Sequence, residues 1–255
     1  MNRLQCALIE KTGTDNGFEH TISVDRNSVV LASARHLSHA IVSVSDNGYE
    51  IEFVSRVSSL LTELRRSFPA LQLCGDSFLV DGEASLSTLL RRASSLSSAL
   101  PSQVATSYAQ AVNAVLTASP EGIAGTEVER LVRQRVGQQK FREAMLEYWG
   151  GACAVTGVGL SEVLRASHAK PWAESASDAE RLDVFNGFLL NANLDALFDR
   201  FLVSFDEHGL LLVSSRVTLA DLQKLGIHPG MRLRWLTAEH QVYLSFHHSI
   251  FESLL

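Results

Sequence analysis

The sequence predicts an α+β protein built as two domains, and three observations predict it. Short β-branched runs fill most of the first 54 residues and then give way to helical periodicity as far as residue 118. Ser119-Pro120-Glu121-Gly122-Ile123-Ala124-Gly125 concentrates chain breakers, and a long helical pattern begins again beyond it. At 255 residues and 46% hydrophobic content, the chain is long enough for two ordinary cores. The expected layout is a mixed α+β domain over 1–118, a linker over 119–125 and a second domain over 126–255.

In the first domain, Leu4–Ile9, His20–Val24, Ser28–Ala32, Ala40–Ser45 and Tyr49–Phe53 read as strands, being short, β-branched and partly alternating. Asp15-Asn16-Gly17 and Asp46-Asn47-Gly48 are turn signals, the second of them a hairpin. Ser55–Ser67 carries an apolar stripe of Val57, Leu60, Leu61 and Leu64, and Pro69 ends it. Leu71–Val80 contains Gly75-Asp76 and fits a hairpin or a broken strand, and Pro101 separates helices over Ser85–Leu100 and Ser102–Ala118. No chemical motif accompanies these elements. His36 and His39 lack a Cys, Asp or Glu partner at metal-ligand spacing, and Arg65-Arg66 and Arg91-Arg92 read as solvated helix faces.

Charge and cysteine usage bound the function. A net charge of −6 argues against a protein that coats nucleic acid indiscriminately, while leaving room for a local basic face. Cys6, Cys74 and Cys153 are odd in number and widely spaced, which fits buried thiols better than a disulfide framework or a zinc site. No run of eighteen apolar residues occurs and the apolar start is too short for a signal peptide, so the expectation is a cytoplasmic protein without a membrane segment.

The second domain opens on a helix from Glu127 towards Tyr148, with Thr126 as N-cap, Glu129 in capping-box position and Gly137 as a point of interruption. Between residues 130 and 142 every charge is positive: Arg130, Arg133, Arg135, Lys140 and Arg142. Such a run is what a phosphate-contacting helix needs, and a solvated helix face explains it equally well. Gly150–Gly157 reads as turn, short strand and turn. A strand then ends at Pro171, with His168 near its end, and a polar loop covers 173–183. Asn186-Gly187 turns the chain into Phe188-Leu189-Leu190, and Asn193 is placed to cap a helix from Leu194 to about Arg200. On that helix Asp195 and Asp199 are four apart, so both carboxylates lie on one face. Beyond it, Phe201–Phe205 and Leu210–Ser214 form a hairpin, Leu219–Leu225 a short helix, Leu233–Leu236 a strand and Glu239–Leu255 a terminal helix. The pair His247-His248 has no carboxylate pattern beside it.

These blocks resemble the HNH endonuclease family, whose ββα-metal fold sets two strands and a helix around one divalent ion. The resemblance covers roughly residues 127–255. It is carried by Ala166-Ser-His168-Ala-Lys-Pro171-Trp172, Asn186-Gly-Phe-Leu-Leu and Asn193-Leu-Asp-Ala-Leu-Phe-Asp199. Arg135-Val-Gly-Gln138, Phe141-Arg142, Trp149-Gly-Gly, Cys153-Ala-Val-Thr-Gly157 and Gly226-Ile-His-Pro-Gly-Met-Arg-Leu233 add to it in order. It implies His168 as the general base that activates water, at a pKa suited to neutral pH. It implies Asn186 as the brace of the loop holding that histidine, and Asp195 and Asp199 as ligands of one divalent ion. Oxygen ligands favour Mg²⁺ or Mn²⁺ over Zn²⁺. Lys170 and Arg200 join the basic residues of the lead-in helix as DNA contacts, and the tail with His247 and His248 lies outside the site. Many members carry Asp or His immediately before the base, where this chain has Ser167, and Asp195 stands where histidine or asparagine is common.

The function this implies is metal-dependent hydrolysis of double-stranded DNA in restriction or defence, by a homodimer where both strands are cut, with residues 1–118 choosing the target. Two rivals stand beside it. In one, the first domain senses a ligand and the nuclease idles until triggered. In the other, the chain is a DNA-binding module whose site has decayed; Ser167 favours this and the intact His168, Asn186, Asp195 and Asp199 oppose it.

Overall fold

The structure is a computed structural model that describes residues 1–117 and 126–254. The chain divides into two compact units, Met1–Gln103 and Val104–Leu255. The division falls earlier than residue 118, and the expected linker 119–125 lies outside the described residues.

The first unit is a six-stranded antiparallel sheet with helices on one face. Strands β1 (His20–Val24), β2 (Ser28–Ala32), β3 (His39–Ser45), β4 (Gly48–Val54), β5 (Gln72–Cys74) and β6 (Ser77–Val80) follow the order β1-β2-β3-β4-β6-β5. The period of two decides which face is buried. Val29, Leu31, Ala40, Val42, Ile51, Phe53, Phe78 and Val80 point one way and are buried. Against them lie α1 (Arg3–Asp15), α2 (Ser59–Ser67) and α3 (Glu83–Ala99), through Ile9, Leu60, Leu64, Leu86, Leu89, Leu90 and Leu96. The expected strand Leu4–Ile9 is instead part of α1. Asn2 and Gln5 form a reciprocal capping box, each side chain accepting the other's backbone N–H at 2.8 Å, and this nucleates a helix where residue composition alone suggested a strand.

The second unit begins with α4 (Pro101–Thr117), most of which belongs to it, and continues with α5 (Thr126–Tyr148), which runs through Gly137 without a break. A Cβ at Gly137 would stand 2.3 Å from Cη2 of Trp172, so the glycine admits the indole rather than ending the helix. Strands β7 (Leu164–His168) and β8 (Gly187–Asn191) form an antiparallel hairpin, crossed by α7 (Ala192–Phe198). Between them the expected loop contains a short helix, α6 (Asp178–Leu182), capped by Ser177. The hairpin β9 (Val203–Phe205) and β10 (Leu211–Val213), the short helix α8 (Leu219–Lys224) and the terminal helix α9 (Ala238–Ser253) complete the unit. Trp149, Phe188, Phe198, Phe205 and His240 are buried in its core, with Trp149 stacked 4.1 Å from Trp235 and His240 stacked on Phe188.

Three local expectations are corrected. Residues 150–157 are successive turns without a strand, because Gly150, Gly151 and Gly157 all hold left-handed backbone angles. Leu233–Leu236 is not a strand: only a single bridge joins Arg232 to Leu210, and the Arg234 side chain turns back to the carbonyls of Trp149 and Ala152. The cap of α7 is Asn191, whose Oδ1 accepts the Leu194 N–H at 3.0 Å, while Asn193 donates to the Leu225 carbonyl.

Candidate functional site

The β7–β8 hairpin pairs His168 with Gly187 and Ser167 with Phe188. The strands approach so closely here that a Cβ on Gly187 would lie 2.1 Å from the Ser167 carbonyl oxygen. His168 thereby sits at the end of the hairpin where the connection through α6 begins, half-buried, its ring stacked 3.8 Å from Phe141 of α5 and met edge-on by Trp172. Its Nε2 is 2.8 Å from the Arg181 carbonyl oxygen. A carbonyl only accepts, so Nε2 carries the hydrogen and Nδ1 is left with its lone pair. Burial holds the imidazole pKa below its ordinary value, and the Arg181 carbonyl partly opposes that. A neutral ring with a free Nδ1 is the form a general base requires.

Asn186 is fully buried behind the histidine. Its Oδ1 accepts the Lys170 N–H at 2.8 Å, and its Nδ2 donates to the carbonyls of Lys170 and Glu180 at 3.2 and 3.0 Å. One side chain therefore ties the segment after His168 to α6, the element whose Arg181 carbonyl orients the ring.

Asp195 and Asp199 stand one helical turn apart, the second at the C-terminal end of α7. Ser167, 2% exposed, donates its hydroxyl to Asp195 Oδ1 at 2.5 Å. Burial and then the neighbouring Asp195 charge push the Asp199 carboxyl up to about 6. Among the described residues no three His, Cys, Asp or Glu side chains form a metal-holding group. The donor chemistry of the pair nonetheless fits a hard divalent cation: oxygen ligands, adjacent like charges and no basic partner in ion-pair contact among the described residues. Water and substrate oxygens would have to complete the coordination sphere.

His168, Asp195 and Asp199 line one cleft of about 530 Å³, together with Gln138, Phe141, Arg142 and Arg165. Of the expected DNA contacts only Arg142 reaches this cleft. Arg130 and Arg133 line a second hollow with Tyr108 and Trp172, and pair with Glu127 and Glu129. Lys140 pairs with Glu143 and Lys170 with Glu180, and Arg200 donates to the Ala196 carbonyl. Arg135 is exposed.

Two cleft residues were not foreseen. Arg165 opens the very motif that carries His168. His247, on the tail expected outside the site, forms part of the cleft wall. It stacks on Phe198 with ring centroids 3.7 Å apart, donates from Nε2 to the Phe198 carbonyl at 3.0 Å and accepts from Ser204 at Nδ1. Both ring nitrogens are in use and burial lowers its pKa to about 4, so it is a clamp on the end of α7 rather than a ligand. No signal in sequence spacing could have found it, since its partners lie 43 and 49 residues away.

Residues 153–206 match the family described as HNH endonuclease, and that segment holds His168, Asn186, Asp195 and Asp199. Residues 153–206 are thus an HNH-like segment in the C-terminal part of a mixed α+β chain. No curated protein matches the sequence. No described helix is long and apolar enough to cross a membrane.

Proposed function

We propose that the second unit is a metal-dependent endonuclease that hydrolyses DNA phosphodiester bonds, and that the chain acts in restriction or another defence against foreign DNA. The observation that carries this reading is His168. Its Nε2 hydrogen is committed to the Arg181 carbonyl, which leaves Nδ1 with its lone pair, and His168 lines the same cleft as two carboxylates. His168 Nδ1 takes a proton from water, and the resulting hydroxide attacks phosphorus in line. The bond from phosphorus to the 3′ oxygen breaks, and solvent returns a proton to that oxygen. Asn186 and the Arg181 carbonyl keep the imidazole in place and in one tautomer throughout. Asp195 and Asp199 would hold Mg²⁺ or Mn²⁺, which supplies charge stabilisation for the phosphate and the leaving oxygen. Defence is proposed on the family resemblance of the motifs, and a pair of chains is needed if one such site per chain is to cut both strands.

The test uses the whole chain on modified and unmodified plasmid with Mg²⁺, with Mn²⁺ and with chelator, beside His168→Ala. Cleavage should require metal and fall by about 10²–10⁴ in the variant. Equal cutting by both proteins, or no cutting of either plasmid under any metal, would sink the proposal.

A further inference from the structure

Arg142 on α5 and Arg165 on β7 both line the cleft. Arg142 donates from Nη1 to the Leu164 carbonyl at 2.6 Å and from Nη2 to the Ser161 carbonyl at 2.9 Å. Arg165 donates from Nη1 to the same Leu164 carbonyl at 2.9 Å and to the Glu162 carbonyl at 2.9 Å. Two guanidinium groups therefore converge on one peptide oxygen. Their recorded partners are all uncharged carbonyls, and neither joins a carboxylate among the described residues. Arg130, Arg133, Lys140 and Lys170, by contrast, each have a carboxylate partner. Two cations gathered on a neutral acceptor repel each other, and an anion between them removes that cost.

We propose that Arg142 and Arg165 form a clamp for a phosphate of the cut DNA strand other than the one being cleaved. The proposal rests on the nuclease reading and extends it to how the strand is held. Arg165 lies three residues before His168 on an extended strand, a separation of about 10 Å. Phosphates along one strand of duplex DNA recur about every 3.4 Å of helix axis, so a strand cut beside His168 presents a flanking phosphate to Arg165. Arg142 is the half-buried, anchored member. Arg165 is exposed, and its Nε and Nη2 hydrogens, not used in the bonds to the carbonyls, form the edge that takes an anion bidentately.

The test measures binding of a short duplex oligonucleotide to the whole chain carrying His168→Ala, which prevents cleavage, over a series of salt concentrations. Adding Arg165→Gln should weaken binding alike on unrelated sequences and reduce the slope of log affinity against log salt by about 0.9, one phosphate contact. Arg165→Lys should restore the slope while binding less tightly than arginine. The melting temperature should stay unchanged in both, which separates a lost phosphate contact from a damaged fold. An unchanged slope with Arg165→Gln, or weakening confined to one sequence, overturns the clamp and leaves the nuclease reading standing. A parent chain that binds no duplex at low salt overturns both.

Discussion

Replacing Asn186 by aspartate tests the brace behind His168 with almost no change of shape. The wild-type amide is fully buried and makes one bond as acceptor and two as donor. A carboxylate keeps the first and turns the donor edge into an acceptor facing the carbonyls of Lys170 and Glu180, which lie 3.2 and 3.0 Å from Nδ2. Each lost bond is worth about 1 kcal/mol net, and pressing an ionised oxygen against two carbonyls adds a penalty of about the same size or more. The introduced carboxyl escapes part of that penalty by keeping its proton, so its pKa rises in the folded state. The sign follows. The folded chain then binds more protons than the unfolded one, and stability falls as pH rises from the unfolded pKa of about 3.9 through the raised folded value. Asn186→Asp should lose about 2 kcal/mol at acid pH and about 3–5 kcal/mol at neutral pH. Asn186→Ala should lose about 3 kcal/mol at either. At about 2–4 °C per kcal/mol for a unit of this size, melting followed by circular dichroism resolves these differences. Melting of Asn186→Asp that is independent of pH, or that worsens towards acid, would refute the hydrogen-bond assignment on which the brace depends.

Three other perturbations read neighbouring parts of the same structure. Gly137→Ala places a Cβ 2.3 Å from the Trp172 indole, so it should destabilise the unit by about 1–3 kcal/mol and change tryptophan fluorescence despite alanine's better helix propensity; unaltered melting and emission would contradict the packing. His247→Phe keeps the stack on Phe198 but strands the Phe198 carbonyl and the Ser204 hydroxyl, which should cost about 1–3 kcal/mol by denaturant unfolding, with no loss counting against the clamp. Asp199 has its carboxyl raised to about 6, so without metal its contribution to stability is full at acid pH and lost as pH rises through about 6. The proposed metal ion, supplied as Mn²⁺, would bind the ionised form, so the melting shift it causes should grow across that range and flatten in Asp199→Asn; a shift equal at about pH 5 and about pH 7 would remove Asp199 from the proposed metal site.

How legible the molecule was depended on how far its determinants reach along the chain. The i, i+4 spacing that sets Asp195 and Asp199 on one face is local, and the helix carrying them formed within a residue or two of its expected place. The basic run on α5 was also locally readable in a way that its count of positive charges concealed. Glu127, Glu129 and Glu143 lie three or four residues from Arg130, Arg133 and Lys140, the distances at which a helix closes ion pairs. What composition cannot carry is the different fate of Arg142, whose carbonyl partners are 19 and 22 residues on. Residues 150–157 failed as a strand because glycine backbone angles outweighed the β-branched residues between them. Leu4–Ile9 failed because a two-residue cap outweighed the run it precedes.

Ser167 gives the clearest case of a residue whose meaning depends on contact rather than identity. As a replacement for a ligand it argues for a weakened site, since a neutral hydroxyl offers a cation little. Its geometry supports a different use. The hydroxyl donates to Asp195 Oδ1 at 2.5 Å from a position that is almost wholly buried, and it does so from β7, the strand that also carries His168. A hydrogen bond to an ionised carboxylate is among the stronger neutral-to-charged contacts, and it fixes the orientation of one oxygen while leaving the other unspent. A third carboxylate in that place would instead lie within hydrogen-bond distance of Asp195 and force the two to share a proton. Asp199 already shows the effect of one like-charged neighbour together with burial, at about 6. The serine thus keeps the pair at two carboxylates and orients one of them, while burial holds the pKa of His168 beside it below its ordinary value. The same strand thereby orients both halves of the proposed chemistry, the proton acceptor and the oxygen ligand, through adjacent residues whose side chains leave it in opposite directions.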